Sequence, residues 1–316
     1  MTDWPTYRGE TGATGRTADR AEQGVAPTCE ISSQDTTTLE PSGEHSPTTR
    51  PARGRVERLR QKLSERDFAV LRSLHKLRLL TGAQIARLHV AGGSRATQAR
   101  RTRALLQRLS ELNVVVRLGQ RVGGVRAGSA GFIYGLSGYG QAVLEVDGPT
   151  GKKRRRVWET SPPHQRHVLA VSELFVQLVE ADRDGRVDLL EFQPEPTCWR
   201  RFPGAAGGVV TLKPDAALRL GVRAVELSVF IEVDMGTEST PTLTKKCQSY
   251  IAYWRSGIEQ QAHDVFPVVL WLAEATRRAD QLSEVIRRLP HETQALFRVA
   301  LLSETIHLLS AEGGEQ

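Results

Sequence analysis

The chain has 316 residues, enough for about two domains, and its 39% hydrophobic and 25% charged residues are typical of a globular protein that is soluble in water. No apolar run approaches the roughly 20 residues of a membrane span, and the N-terminus has no basic stretch before an apolar one, so we expect neither a membrane span nor a secretory signal. Three cysteines lie far apart with no CxxC pair, which argues against a disulfide framework or structural zinc and favours the cytoplasm.

The net charge of +7 is distributed unevenly along the chain. Residues 1–52 carry 4 basic and 8 acidic groups, residues 53–126 carry 18 and 4, and residues 127–316 carry 21 and 24. The middle stretch therefore has a net charge of +14. Such a concentrated positive field attracts polyanions, of which nucleic acid is the usual one. The alternative is a solvated helix surface that is rich in arginine.

Residues 1–52 form the first segment and are rich in Thr, Ser, Gly, Pro and Glu, with almost no apolar periodicity. A segment of this composition cannot bury enough apolar surface to offset the entropy lost on ordering. We therefore expect a disordered tail and assign no function to it.

Residues 53–150 begin with a helical pattern. Apolar spacing from Val56 to Leu80 predicts one helix, and a short second helix is expected from Ala83 to His89. A glycine turn follows, with Ser94 placed as the N-cap of a third helix that continues to about Leu112. Ala99 is expected on the apolar side of this third helix.

Two strands are then expected at Val114–Leu118 and Phe132–Leu136, joined by a Gly/Arg loop over residues 119–131. Three helices followed by a hairpin have the order of a winged helix-turn-helix, whose third helix can enter the major groove of double-stranded DNA. Winged helices also serve as protein-docking modules, but those seldom carry so much positive charge. The arginines expected to contact DNA are Arg95, Arg100, Arg101, Arg103, Arg121 and Arg126.

Residues 151–162 are interpreted as a linker that contains five consecutive basic residues, Lys152 to Arg156. This run is either a solvated connection or a strap that contacts phosphates. The pair Pro162-Pro163 marks the boundary of a second domain, residues 163–310, and residues 311–316 form a short tail.

The second domain alternates between helical and strand-like segments. An amphipathic helix is expected first, and two long strands joined at Gly221 follow an earlier strand. The order αβββαβαβ indicates an α/β layer rather than a helical bundle. The predicted segments are the helix His164–Ala181, the strands Val187–Phe192, Val209–Leu220 and Ala224–Val233, the helix Leu243–Trp254, the strand Pro267–Leu272, a helix through Ile286 and a strand near Leu296–Leu301.

Three acidic residues interrupt the apolar strands of this domain. Glu232 and Asp234 point to the same face because strand side chains alternate, and a neighbouring strand could bring Asp215 beside them. Three clustered carboxylates repel one another unless a cation neutralises them, and oxygen ligands suit Mg²⁺ or Mn²⁺. A metal so held can activate water and stabilise charge on a phosphodiester. The alternative is that Asp215 and Glu232 are strand-end residues paired with Arg219 and Arg223.

Pro214-Asp215 followed by Glu232-Val233-Asp234 resembles the signature of the PD-(D/E)XK nuclease superfamily. Together with the N-terminal winged helix and a later Lys246-x-x-x-Tyr250, the series is similar to the replication-relaxation family over about residues 65–305. That resemblance implies a restriction-endonuclease-like αβββαβ domain. It also implies a role in the replication or relaxation of DNA on plasmids and integrative elements.

By this resemblance, Asp215 and Glu232 correspond to the metal-binding carboxylates of the superfamily. Asp234 stands where the superfamily signature has a lysine. Lys246 is a substitute, because its helical spacing directs it inward and some superfamily members carry the lysine on this helix. Glu173 on the preceding helix is considered as a further ligand.

Other residues of the C-terminal domain carry weaker signals. The spacing of His164 and His167 suits zinc, but no third ligand joins them in the sequence. Tyr250 and Tyr253 are interpreted as packing residues rather than nucleophiles.

We expect a cytoplasmic DNA-binding protein of a mobile element, with Mg²⁺- or Mn²⁺-dependent nicking by Asp215, Glu232, Asp234 and Lys246. The alternatives are an inactive replication or transfer accessory factor and a transcription regulator. Contacts with the replication or transfer machinery and a homodimer are left open.

Overall fold

The computed structural model combines helices with three β-sheets over the residues that it describes, which confirms the expected mixed α/β class. Within this part of the chain, no helix is both long enough and apolar enough to cross a bilayer. The predicted tail, Arg126 and the basic run 152–156 lie outside the described residues. The structure describes residues 53–121, 131–145, 161–204 and 207–311.

Helices and a small antiparallel sheet make up residues 53–145. The elements are α1 (Arg53–Gln61), α2 (Glu65–Leu77), β1 (Leu79–Thr81), α3 (Gly82–His89), α4 (Arg95–Glu111), β2 (Val115–Arg121), β3 (Phe132–Leu136) and α5 (Gly138–Glu145). In the sheet, β3 lies between β1 and β2 and is antiparallel to both. The helices α2, α3 and α4 followed by the paired strands β2 and β3 have the predicted order of three helices and a hairpin, and α1, β1 and α5 are additional elements.

The apolar spacing predicts one helix from Val56 to Leu80, but the structure interrupts it twice. Ser64 begins α2 as an N-cap, because its hydroxyl accepts a hydrogen bond from the N–H of Asp67 while the Asp67 carboxylate accepts from the N–H of Ser64 at 2.7 Å. Arg78 ends α2 with a φ of 69°. Leu80 is buried in β1, where sheet pairing replaces the helical face. Apolar spacing alone cannot distinguish the continuation of a helix from a buried strand, since a buried strand is also a run of apolar residues.

Asp67 stabilises the start of α2 in two ways, since its fully buried carboxylate also forms an ion pair with Arg108 of α4. Burial raises the pKa of Asp67, but hydrogen bonds from Arg108 and Ser64 lower it more, so the pKa lies below its ordinary value. Asp67→Asn should reduce the free energy of unfolding by about 2–3 kcal/mol, because it weakens a helix cap and breaks a buried charge pair. Urea unfolding at neutral pH measures this loss.

The matched control for Asp67→Asn is Glu65→Gln, which changes an exposed carboxylate on the same helical turn. We expect it to cost less than about 0.5 kcal/mol. Because the folded pKa of Asp67 is below the unfolded value, its stabilisation is complete above about pH 4 and is lost as the pH falls through the folded pKa. The stability gap between wild type and Asp67→Asn should therefore shrink in acid. A gap that does not change with pH would contradict this assignment.

The helix α4 begins at the predicted N-cap, where the Ser94 hydroxyl accepts a hydrogen bond from the N–H of Thr97 at 3.3 Å. Ala99, which was expected on the apolar side, is exposed. The buried face therefore begins later in the helix and leaves its first turns at the surface. Its buried residues are Thr102, Leu105, Leu106 and Leu109.

Residues 162–311 form a larger sheet flanked by helices. The elements are α6 (Pro162–Arg183), β4 (Asp188–Pro194), β5 (Arg200–Pro203), β6 (Val209–Leu212), β7 (Ala216–Val222), β8 (Val225–Asp234), α7 (Thr240–Arg255), α8 (Ile258–His263), β9 (Val268–Ala273), α9 (Thr276–Arg287), α10 (His291–Gln294), β10 (Phe297–Leu301) and α11 (Thr305–Ala311). The strand order of the five-stranded sheet is β10-β9-β8-β7-β4. Its strands β8, β9 and β10 are parallel, whereas β7 is antiparallel to both neighbours.

The strand predicted from Val209 to Leu220 is two strands, β6 and β7, separated by residues 213–215. Pro214 has no N–H for a ladder, and at this point the chain passes from a two-stranded sheet to the five-stranded one. The partner of β6 is β5, a short strand that the sequence pattern does not predict. A four-residue strand with three polar or proline residues has too little alternation to be recognised.

Helices cover both faces of the five-stranded sheet. On one face, Leu174 and Leu178 of α6 join the core that contains Ile231 of β8. On the other face, Leu243 of α7 packs in the cluster that contains Phe230 of β8. Adjacent residues of β8 therefore serve opposite cores, as strand alternation requires.

The N-terminal and C-terminal parts share one hydrophobic core and are joined by polar contacts between α3 and α6. Arg87 forms ion pairs with Glu173 and Glu180, each at 2.5 Å. Gln84 donates a second hydrogen bond to Glu173 at 3.0 Å. Glu173, considered above as a further metal ligand, is thus engaged with α3.

Candidate functional site

Asp215 and Glu232 lie at the same end of the five-stranded sheet. The pairing of β7 with β8 places Ala216 opposite Ile231. Asp215 directly precedes the first of these residues, and Glu232 directly follows the second. The N–H of Val233 donates to Asp215 Oδ2 at 2.7 Å and fixes this carboxylate against β8. Antiparallel register thus brings together two carboxylates that are far apart in sequence.

His167 of α6 is a neighbour of Asp215 that the sequence pattern does not identify as a site residue. Its Nε2 lies 3.0 Å from Asp215 Oδ1. Burial alone would lower the pKa of His167, but the hydrogen bond and charge of Asp215, together with the charge of Glu195, raise it above its ordinary value. The sequence signal that could have identified His167 is its position near the start of the helix that precedes the sheet. A histidine at such a position can reach the end of a strand.

Glu232 is almost completely buried, with 2% of its surface exposed. The Tyr250 hydroxyl donates to its Oε1 at 2.6 Å, and the Lys246 ammonium donates to its Oε2 at 3.2 Å. Burial and the nearby negative charge of Asp215 raise the pKa of Glu232 to about 8, although Lys246 and Tyr250 oppose the shift. An additional cation beside this carboxyl would favour its ionised form.

Lys246 and Tyr250 reach the same carboxylate because they lie one turn apart on α7. The Lys246 Nζ is also 2.9 Å from Glu238 Oε1. Burial would lower the pKa of Lys246, but the charges of Glu232 and Glu238 raise it above its ordinary value. The inward direction predicted for Lys246 agrees with these contacts. Tyr250 is buried as a packing residue would be, and its hydroxyl additionally orients Glu232.

Asp234 has a different set of partners from Asp215 and Glu232. Its Oδ2 accepts hydrogen bonds from Arg278 of α9, at 2.9 Å from Nε and 2.8 Å from Nη2. Its Oδ1 accepts from the N–H of Gly236 at 2.6 Å. Strand alternation correctly predicts that Asp234 and Glu232 share a face, but the three carboxylates do not share partners. Within the described ranges, no group of three or more His, Cys, Asp or Glu side chains could hold a metal ion.

The alternative in which arginines of the sheet neutralise these carboxylates does not fit the observed pairs. Arg219 pairs with Glu226 of β8 at 2.6 Å. The partners of Asp215 and Glu232 are instead a histidine, a lysine, a tyrosine and a backbone amide. Among the described residues, neither Asp215 nor Glu232 has a guanidinium partner like the one that Asp234 has in Arg278.

A cavity of about 420 Å³ opens at this end of the sheet, next to the start of α6. Its walls include Asp215, Asp234, Glu238 and Lys246, so three acidic side chains and one half-buried lysine line the same cavity. Exposed basic side chains of α6 lie on the same cavity wall, as do apolar ones. These further lining residues include His164, Arg166, Pro163, Val233, Met235 and Trp271.

Comparison with protein-family models gives the relationship of the chain to known proteins. The model described as replication-relaxation matches residues 71–269, which is well over half of the chain. The chain belongs to the replication-relaxation family. This finding confirms the resemblance inferred from the motifs. Searches of curated proteins and of solved structures found no match.

The part of the chain matched to the replication-relaxation family includes both the cavity carboxylates and α4. Four of the predicted DNA-contacting arginines lie on exposed positions of α4, and no acidic residue occupies its first turn. Arg121 ends β2 and is paired with Phe132 through the backbone. Arg126 lies outside the described residues. The exposed arginines of α4 are Arg95, Arg100, Arg101 and Arg103.

Proposed function

We propose that this chain is a DNA-binding protein that acts in the replication, relaxation or transfer of a plasmid or other mobile element and nicks DNA with Mg²⁺ or Mn²⁺. The family supports a role in replication or relaxation. The observation that carries the nicking activity is the meeting of Asp215 and Glu232 at one sheet end, with Lys246 bound to Glu232.

The donor set fits a hard divalent cation. Mg²⁺ prefers oxygen ligands and is commonly held by one or two carboxylates together with waters and substrate phosphates. Asp215 and Glu232 supply two such carboxylates. Burial and the negative charge of Asp215 raise the pKa of Glu232, and a bound cation would favour its ionised form. A bound Mg²⁺ or Mn²⁺ would activate water and neutralise charge on the phosphodiester.

The side chains around this pair have separate tasks in the proposed reaction. The Lys246 ammonium stabilises negative charge that develops on the scissile phosphate. His167 and Tyr250 orient Asp215 and Glu232 through the hydrogen bonds described above. Asp234 is engaged by Arg278, so we assign it to holding β8 against α9 rather than to the metal.

The N-terminal part supports docking on double-stranded DNA through a winged helix-turn-helix. The helix α4 presents arginines for phosphates and bases, and it also exposes Ala96, Ala99 and Ala104. Small side chains allow a helix to approach the floor of the major groove closely. The segment between β2 and β3 would act as the wing against the phosphate backbone. Arg121 directly precedes this segment, and Arg126 belongs to it in the sequence.

Supercoiled plasmid incubated with the protein and Mg²⁺ or Mn²⁺ tests the proposal. We expect conversion to the open-circular form that EDTA prevents. Absence of metal-dependent nicking in a preparation that binds duplex would instead favour a non-cutting replication or transfer factor. The observation in favour of that second function is that Lys246 comes from α7, while Asp234 occupies the usual lysine position on β8.

The Asp234→Asn variant tests whether the proposed metal site has two carboxylate ligands, Asp215 and Glu232, or also a third, Asp234. If Asp234 serves Arg278, nicking should stay within about threefold of wild type. The free energy of unfolding should fall by about 2–3 kcal/mol, because the largely covered Arg278 loses its charged partner. Urea unfolding and the plasmid assay on the same preparation measure both quantities. Loss of nicking without loss of stability would return Asp234 to the metal ligand set.

A further inference from the structure

Two buried polar atoms in residues that line the cavity have no hydrogen-bond partner among the described residues. They are Nε1 of Trp271 and Oε2 of Glu238. Trp271 is 1% exposed, and its position on β9 is in register with Glu232 of β8. The other oxygen of Glu238 is bound by Lys246. A buried donor and a buried acceptor therefore belong to two residues that line one cavity.

The chemistry of this pair restricts what can satisfy it. An indole N–H is only a donor, whereas a carboxylate oxygen is only an acceptor. A single ligand that serves both must carry an acceptor and a donor. Phosphate oxygens are acceptors, and Glu238 would repel them. The edge of a nucleobase carries both kinds of group, since ring nitrogens and carbonyls accept while amino and imino groups donate.

We propose that this cavity binds the base of one unstacked nucleotide, with Trp271 Nε1 donating to it and Glu238 Oε2 accepting from it. The inference rests on the proposed function, because the base would belong to the DNA strand whose phosphate lies at Asp215 and Glu232. The volume of about 420 Å³ is that of a pocket for a small organic group. Pro163 and Met235 add apolar wall for the faces of a base.

Unstacking a base costs free energy, and the cavity offers compensating contacts. Enzymes that draw a base out of the stack satisfy its edge with hydrogen bonds and its faces with apolar or aromatic side chains. A buried polar group without a hydrogen bond raises the free energy of the protein, so hydrogen bonds to Trp271 and Glu238 would favour binding of a base. A base held in the cavity would thereby fix the position of the DNA strand relative to Asp215 and Glu232.

The test measures binding of a fluorescein-labelled single-stranded eight-nucleotide DNA of mixed sequence by anisotropy, in EDTA so that no cleavage occurs. A strand of equal length built from abasic residues carries the same phosphates and reports binding without bases. Wild type should prefer the natural strand by about fivefold to twentyfold. Trp271→Phe keeps the ring, removes the donor and should abolish most of this preference.

Glu238→Gln gives a second variant at a half-buried position, and the direction of its effect on DNA binding distinguishes the proposal from simple electrostatics. Removing a negative charge beside DNA should strengthen binding if electrostatics alone acts. The proposal predicts weaker preference for the natural strand, because Lys246 keeps the remaining oxygen of the side chain and an NH₂ group, which is a donor, takes the place of the acceptor. The matched control is Trp199→Phe, since Trp199 also has a buried indole N–H without a described partner but does not line the cavity. It should bind like wild type.

Equal preference in wild type and Trp271→Phe would overturn the proposal, as would stronger natural-strand binding by Glu238→Gln. Absence of any single-strand binding would overturn it too. A parallel titration with duplex DNA distinguishes failure of the base-binding proposal from failure of the proposed DNA-binding function. Duplex binding without single-strand binding leaves docking intact, whereas loss of both contradicts both. If Trp271→Phe fails to show a cooperative thermal transition, Glu238→Gln alone decides.

Discussion

Asp215→Asn and Glu232→Gln should each slow metal-dependent nicking of supercoiled plasmid by about a thousandfold. Each substitution keeps the shape of the side chain and removes one anionic oxygen ligand. A metal contributes several kcal/mol of transition-state stabilisation, and each 1.36 kcal/mol corresponds to a factor of ten in rate. The measurement is the initial rate of open-circular product at saturating Mg²⁺ or Mn²⁺.

The control for these two variants is Glu226→Gln. Glu226 lies on the same strand as Glu232, but at the opposite end, where it pairs with Arg219 at the surface. It tests whether loss of a carboxylate on β8 has a general effect, and its nicking rate should equal that of wild type. Nicking by folded Asp215→Asn at the wild-type rate would show that a contaminating nuclease produced the activity.

Local sequence patterns predict the carboxylate pair well because its geometry depends on short-range rules. The register follows from two apolar strands with acids at adjoining ends, and the contact of Lys246 with Glu232 follows from the inward face of α7. The partner of Tyr250 is also Glu232, since one helical turn separates it from Lys246. Period-two and period-3.6 spacing are sufficient for these positions.

The remaining contacts depend on long-range packing, which spacing does not encode. Arg278 reaches Asp234 only because α9 packs beside the end of β8. His167 reaches Asp215 because α6 crosses the opposite face of the sheet. The strand containing Leu80 exists because a distant hairpin pairs with it. In each case the decisive neighbour lies many residues away, so local propensity is overridden by tertiary contacts.

The double variant Arg100→Ala with Arg101→Ala should weaken duplex binding by about tenfold to a hundredfold near 100 mM salt. Both side chains are exposed on α4, where phosphate contacts would release counterions. Loss of two such contacts should also reduce the slope of log affinity against log salt by about 1.8. Anisotropy titrations of a labelled duplex at several salt concentrations measure both quantities.

The control for net charge is Arg287→Ala with Arg288→Ala. Arg287 ends α9, Arg288 directly follows it, and both pair with Glu284, so the variant removes the same number of positive charges far along the chain from α4. If binding depended only on total charge, both double variants would lose affinity equally. If α4 is the docking helix, the α9 variant should stay within about twofold of wild type and keep its salt slope. An unchanged slope in the α4 variant would place the DNA contact on another surface, because counterion release counts phosphate contacts directly.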